Sequence, residues 1–256
     1  MLQIDLHGHI AVITGASGML GRVIARIFAQ CGADLALHYY HGKKQAETLA
    51  ETLRAETGRR IVTVGGDITK AEDVQQMHEQ VRSTLGVADI LVHNAVIQYT
   101  WTSVLEQPLS DFDSQYQSCV MQTVHMVKAF VPDIIAAGKG GRIVVINTEC
   151  AALAEANCGA YTSAKRGLDG LVRCLAKELG THAITVNQVA PGWTITENDR
   201  KNHTEIQPDY DRSVPLGRRG TDMEIAQMCA FLASSLAGFT TGAYIPVSGG
   251  RVMPAI

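Results

Sequence analysis

Tyr161-Thr162-Ser163-Ala164-Lys165 sets a phenol and an ammonium four residues apart. On a helix that spacing brings both side chains to one face. A phenol with an ordinary pKa near 10 is a poor acid–base catalyst at neutral pH. A neighbouring ammonium stabilises the phenolate and draws the value toward the working range. The same pair also occurs on exposed, solvated helices, so it carries chemistry only in company. That company begins with Thr14-Gly15-Ala16-Ser17-Gly18-Met19-Leu20-Gly21, a glycine loop between an apolar strand and a helix. In such a loop Gly15 permits the tight turn, Gly18 lets backbone N–H groups approach a pyrophosphate, and Gly21 allows close helix–strand packing.

The tail of the second strand selects between dinucleotides, because a carboxylate there would hold an adenosine ribose 2′-hydroxyl. The residues present are Tyr39-Tyr40-His41-Gly42-Lys43-Lys44. The missing carboxylate and the positive charge favour a 2′-phosphate, hence NADP(H) over NAD(H). Capping of a solvated helix start is the other reading of Lys43 and Lys44.

The elements that must position these groups are legible from apolar periodicity. Strands are expected at 9–14, 34–39, 61–65, 89–93, 142–147, 183–189 and near 243–247. Helices are expected at 20–30, 43–57, 70–85, 112–137, 159–180 and 221–234, with Pro132 ending or kinking the fourth late. Strands alternating with helices of this length imply right-handed crossovers and a doubly wound parallel sheet with helices on both faces. Such sheets bind ligands at their carboxyl edge.

Composition narrows the class. The chain has 256 residues, 46% hydrophobic and 18% charged, and shows no linker, repeat or low-complexity tract, so one domain over 1–256 is expected. A net charge of −3 argues against nucleic acid and anionic membrane as partners. The apolar runs are broken before the roughly 18 residues that a membrane span needs, so no membrane partner is expected. The six cysteines lack metal or disulfide-framework spacing and read as reduced, in a cytoplasmic protein with no metal. His7 and His9 have no third ligand nearby and read as a solvated strand entry.

Taken together, these motifs make the chain resemble the short-chain dehydrogenase/reductase family over essentially its whole length, with the single-domain 3-oxoacyl-[acyl-carrier-protein] reductases most similar. The likeness also covers Asp67, Leu91-Val92-His93-Asn94-Ala95, Asn187, Pro191-Gly192, Pro215-Leu216-Gly217-Arg218, Thr241-Gly242 and Val247-Ser248-Gly249-Gly250. The resemblance implies a Rossmann-type α/β fold with seven parallel strands. It implies hydride transfer between a nicotinamide and a carbonyl or alcohol, with Tyr161 as general acid–base and Lys165 lowering its pKa and holding the nicotinamide ribose. Cofactor contacts are implied for Gly15, Ser17, Gly18, Met19, Leu20, Tyr39, Tyr40, Asp67, Ile68, Asn94, Ala95, Pro191, Gly192 and Thr194, besides Tyr161 and Lys165. An Asx-turn at Asp67 and a turn cap at Asn94 are the structural alternatives.

Three positions depart from the family pattern. Met19 stands where a glycine is usual. Thr148, thirteen residues before Tyr161, replaces the substrate-binding serine; it keeps the hydroxyl but adds a methyl group. Cys119 falls where many relatives carry a proton-relay asparagine, which leaves three options: Gln122 substitutes, the relay is absent, or catalysis is poor. The stretch at about 193–215, with Trp193, Asn198, Arg200, Lys201, Tyr210 and Arg212, reads as an irregular substrate lid. Tyr99, Trp101, Glu149 and Asn157 are expected at the pocket wall. A small carbonyl and an acyl thioester rank level as substrate, and a homotetramer is expected, with the apolar tail 252–256 buried against a neighbour or folded back. The alternatives are a dinucleotide-binding protein with little catalysis, a sensor or structural subunit, and an epimerase or dehydratase that retains NAD.

Overall fold

The computed structural model describes residues 3–253, and among them seven strands form one parallel sheet. In chain order they are β1 (Ile10–Ile13), β2 (Asp34–Tyr39), β3 (Ile61–Gly65), β4 (Ile90–His93), β5 (Gly141–Ile146), β6 (Ile184–Pro191) and β7 (Tyr244–Val247). Across the sheet they run β3-β2-β1-β4-β5-β6-β7. The strand order reverses between β1 and β4, so their carboxyl ends open a crevice at that point. The expected α/β architecture is the one observed.

The central strands β1, β4 and β5 are mostly apolar because both of their faces are covered. Val12 and Ile13 point to opposite layers: Val12 joins Leu91, Ile143, Val186 and Phe130, while Ile13 joins Leu35, Val92, Val144 and Phe28. The Ile13 layer is roofed by α1 (Met19–Gln30), α2 (Lys43–Thr57) and, from late in the chain, α10 (Asp222–Ala233). The Val12 layer lies under α3 (Ala71–Thr84), α5 (Gln122–Ala137) and α7 (Gly159–Leu179). Phe28 and Phe130 are almost wholly buried, one in each layer.

The helix expected at 112–137 begins earlier and contains a defect. It opens as α4 (Leu109–Tyr116), widens into a π-helical turn at Gln117–Met121, and continues as α5. Pro132 does not end it. The proline removes one internal hydrogen bond, but buried Phe130, Val131 and Ile134 hold the helix on to Ala137, where Gly138 closes it at φ 67°. By length and composition alone the continuous stretch Leu109–Ala137 is apolar enough to cross a bilayer, as a core helix can be; its inner face is packed against α3, α7 and β4.

The stretch at 193–215 is not irregular. It holds α8 (Glu197–Asn202), opened by a capping box between Thr196 and Asp199, and α9 (Pro208–Ser213), which starts on proline. Both helices are too short to register as apolar periodicity. A further short helix, α6 (Cys150–Leu153), follows β5. In the tail, Val252 is buried and Met253 exposed; the rest of the expected contact, 254–256, lies outside the described residues.

Candidate active site

The crevice between β1 and β4 is closed by hydrogen bonds around Thr14. Its hydroxyl accepts the N–H groups of Asn94 and Ala95 at 2.9 and 3.0 Å, and Asn94 Nδ2 donates to the Thr14 carbonyl at 3.0 Å. Gly15 sits at φ 65°, where a Cβ would stand 3.0 Å from Ala95 Cα. A Cβ on Gly21 would meet the Gly15 carbonyl at 2.2 Å, so the loop and α1 touch backbone to backbone. Gly18 is the N-cap of α1, and among the described residues no side chain caps that helix and no acid occupies its first turn. Free N–H groups and the positive end of the helix dipole suit a pyrophosphate. The residues present therefore fit a dinucleotide.

A histidine that the sequence reading passed over holds this loop. Gly15 N–H donates to His38 Nδ1 at 3.0 Å, and His38 Nε2–H donates to the Gly66 carbonyl at 2.9 Å. Burial holds the His38 pKa below its ordinary value, so the ring is neutral with its proton on Nε2. The same clamp reaches the turn of Asp67. That carboxylate makes the Asx-turn anticipated as the structural alternative, accepting the Thr69 N–H and hydroxyl at 3.0 and 2.7 Å. Burial raises its pKa, but these bonds outweigh it and the net shift is downward.

Other expected cofactor residues divide. Ser17 lies against Gly42, Tyr39 covers Gly65, and Ile68 is buried beside Asp67. Tyr40 stays exposed with its ring 3.9 Å from that of His41. Met19 faces a groove of about 630 Å³ between α1, α2 and α8, with Arg22 and Lys44. Thr194 Oγ1 donates to the Gly192 carbonyl at 2.9 Å, just past Pro191 at the end of β6.

Tyr161 and Lys165 share a face of α7 as expected, and Thr148 stands beside them at the end of β5. Thr148 is held through its backbone: its N–H donates to Asn147 Oδ1 at 2.9 Å, and its carbonyl accepts the Tyr244 hydroxyl at 2.6 Å. Lys165 is buried, donates from Nζ to the Ile146 carbonyl at 2.6 Å, and lies 5.6 Å from the Tyr161 ring centre. The expected downward shift of the phenol is not found. Burial pushes Tyr161 above its ordinary value, the Cys119 and Cys150 thiols add to the rise, and a hydrogen bond with Thr148 pulls only partly the other way. Cys119 is buried in the π-helical turn that packs on α7. Gln122 does not take the relay position: Nε2 donates to the Ala95 carbonyl at 2.6 Å and Oε1 accepts from Thr14 at 3.3 Å, so it braces the crevice instead.

The family profile described as enoyl-(acyl carrier protein) reductase matches residues 15–251. The 3-oxoacyl-[acyl-carrier-protein] reductase FabG of Pseudomonas aeruginosa is 34% identical over 251 residues, 97% of this chain and 99% of that one. The L-rhamnose 1-dehydrogenase (NAD(P)(+)) of a Sphingomonas species is 31% identical over 247 residues, 96% of each chain. The crystal structure of L-sorbose reductase from Gluconobacter frateurii, complexed with NADPH and L-sorbose, superposes with a TM-score of 0.91 at 28% identity, covering 99% of this chain and 100% of that one. The chain belongs to the short-chain dehydrogenase/reductase family. It is an oxidoreductase of CH–OH and C=O groups that works with a nicotinamide dinucleotide.

In this short-chain dehydrogenase/reductase Tyr161 opens on a cleft of about 580 Å³. Tyr99, Trp101 and Glu149 line it as expected, whereas Asn157 stays outside its wall. The Tyr99 hydroxyl accepts the Tyr161 N–H at 2.9 Å, capping the first turn of α7, and the Trp101 ring lies 5.9 Å from that of Tyr161. Glu149 is buried. Its Oε1 accepts the Tyr210 hydroxyl at 2.8 Å and Arg251 at 2.7 Å, and Tyr210 in turn accepts the Trp193 N–H at 2.7 Å. Trp193 and Tyr210 are thereby tied to the residue that follows Thr148.

The basic residues of the stretch at 193–215 are consumed in pairing. Arg200 forks onto Asp222 at 2.9 and 2.6 Å, Lys201 pairs with Glu197, and Arg212 pairs with Asp209. Behind them Arg219, with no side-chain exposure, donates to the carbonyls of Trp193, Thr194 and Thr204 and to Asp199 Oδ1. Nothing in the sequence marks Arg219 or Arg251 as an organiser, since an isolated arginine does not say what it will reach.

Proposed function

We propose that this chain is an NADP(H)-dependent reductase of carbonyl compounds, built as one dinucleotide-binding domain with a lid over 193–215. The reading rests on Thr148 and Tyr161 sharing the wall of one cleft, with the buried Lys165 ammonium 5.6 Å from the Tyr161 ring centre. A reduced nicotinamide bound there would supply the hydride that the carbonyl carbon accepts, and would itself be oxidised. Tyr161 O–H gives its proton to the carbonyl oxygen, Thr148 holds that oxygen by its hydroxyl, and Lys165 fixes the site from below while favouring the phenolate left behind. Gly15, Gly18, Leu20, Asn94, Ala95, Pro191, Gly192 and Thr194 would hold the cofactor.

NADP(H) is favoured because the tail of β2 brings no carboxylate to the adenosine ribose, and Lys43 and Lys44 open α2 beside it. Six free cysteines support a reducing, cytoplasmic setting. Exposed Leu105, Leu109 and Phe239 support assembly into a homotetramer.

The test is fluorescence titration with NADPH and NADH side by side, followed by turnover of Tyr161→Phe and Thr148→Val. Tighter binding of NADPH, loss of turnover in Tyr161→Phe with cofactor affinity kept, and a loss of roughly 10²–10³ in kcat for Thr148→Val are expected. Unchanged turnover in Tyr161→Phe would sink the reading.

A further inference from the structure

Two buried acceptors on the wall of the Tyr161 cleft have no donor among the described residues. Gln115, fully buried, donates from Nε2 to the Ile97 carbonyl at 2.8 Å, which leaves Oε1 alone. Glu149 uses Oε1 for Tyr210 and Arg251, which leaves Oε2 alone beside Gly192. Gln115 and Glu149 border the same cleft as Thr148 and Tyr161. A buried acceptor without a partner is costly, and such groups are completed by protein, by water or by a ligand. Neither oxygen is open to bulk water. A substrate donor completes either acceptor only by displacing the side chains that shield it, and there it meets no competing solvent.

The charge of the cleft narrows what brings those donors. Its acidic and basic side chains are Glu149, Glu155 and Arg251, and Arg251 is paired to both acids. One acid more than base leaves no anchor for a carboxylate or phosphate close to the reacting carbonyl. Trp101 and Trp193 add flat apolar walls. Two unpaired acceptors, no spare cation and aromatic sides match a neutral molecule rich in hydroxyl groups. The carbon chain of an acyl thioester would leave both acceptors unpaired, and a site with polar groups left unpaired discriminates strongly against such a substrate.

We propose that the substrate is a small, neutral, polyhydroxylated carbonyl compound whose hydroxyl groups donate to Gln115 Oε1 and Glu149 Oε2 while its carbonyl oxygen meets Thr148 and Tyr161. The assignment rests on the hydride-transfer reading above. In the reduction the carbonyl carbon gains the hydride that the reduced nicotinamide loses, and the carbonyl oxygen gains the Tyr161 proton. Gln115 and Glu149 move no proton; they select.

The experiment follows oxidation of NADPH by the full-length protein with free ketoses and aldoses, with deoxy ketones of matching carbon skeleton, and with acetoacetyl-coenzyme A. Binding is read separately from the fluorescence of Trp101 and Trp193, the chain's two tryptophans, both on the cleft wall. At least one ketose or aldose is expected to exceed its deoxy counterpart and the thioester in kcat/KM by roughly ten-fold or more, the worth of one completed buried acceptor. In Gln115→Met, and independently in Glu149→Gln, that ratio should shrink about ten-fold through KM. Equal or better use of the deoxy ketone or the thioester by the wild type overturns the assignment and leaves hydride transfer standing. Saturable quenching by a ketose with no NADPH oxidation on any substrate keeps the cleft assignment and removes the hydride-transfer reading.

Discussion

The N–H of Gly15 ends on the Nδ1 atom of His38, 3.0 Å away, so the first residue of the glycine loop is positioned by a side chain from the neighbouring strand. Because the opposite ring nitrogen donates to Gly66, one imidazole sets the distance between the loop and the turn of Asp67. The glycine loop and the turn of Asp67, both on the β2 side of the crevice, are thus spaced by one planar ring.

Replacing His38 by leucine should loosen that spacing. NADPH affinity is expected to fall about ten-fold, matching the loss of one backbone hydrogen bond in a buried site. His38→Gln, which keeps an acceptor, should recover part of it. Titration of cofactor fluorescence in both variants checks the point, and equal affinity in His38→Leu and the wild type would show that the clamp is idle.

Buried histidines also set a pH dependence. Burial lowers the pKa of His38 and brings that of His93 down to about 3, so the unfolded chain binds more protons than the folded one below about pH 6.5. Stability should therefore fall as pH drops through that value. His9 acts in the opposite sense, because Asp89 raises its pKa and its contribution is fully present at low pH. Carboxylates such as Glu224, held down to about 2 by Arg218, lose their contribution as pH falls from the ordinary glutamate value toward about 2, which lies below this window. The melting midpoint should decline between about pH 6.5 and about pH 5, and the decline should be shallower in a His38→Gln, His93→Gln double variant. A parallel decline in both proteins would remove the histidines as its cause.

Arg219 is expected to be the costliest arginine to replace. Its guanidinium serves three carbonyls and Asp199 from a fully buried position, so Arg219→Met strands all of them and should cost about 3–5 kcal/mol in urea unfolding. Lysine cannot reproduce the planar fork and should rescue little. A loss under about 1 kcal/mol in Arg219→Met would mean that the lid is held elsewhere.

Much of the molecule was legible before its structure. The strand at 34–39 and the helix at 43–57 fall where periodicity put them, because runs buried on both faces and amphipathic helices carry their pattern locally. The π-helical turn at Gln117–Met121 left no such trace: a single widened turn does not alter the spacing of apolar residues enough to be seen. Helices α8 and α9 were missed for a related reason, being held by a capping box, Arg219 and Tyr210 rather than by an apolar stripe. At the site, the spacing of Thr148, Tyr161 and Lys165 was readable, whereas the environment of the phenol was not.

Sequence alone determined the doubly wound sheet, the glycine loop at its switch point and the Tyr161–Lys165 pair, since each depends on contacts between near neighbours or on strand and helix periods. Tertiary structure decided the rest. Burial raises the Tyr161 phenol despite the hydrogen bond with Thr148; Gln122 braces the crevice instead of standing in for a relay; and Gln115 and Glu149 each keep an unpaired oxygen inside the wall of the cleft. Those outcomes depend on which groups distant in the chain come to share a low-dielectric space, and no local spacing encodes that.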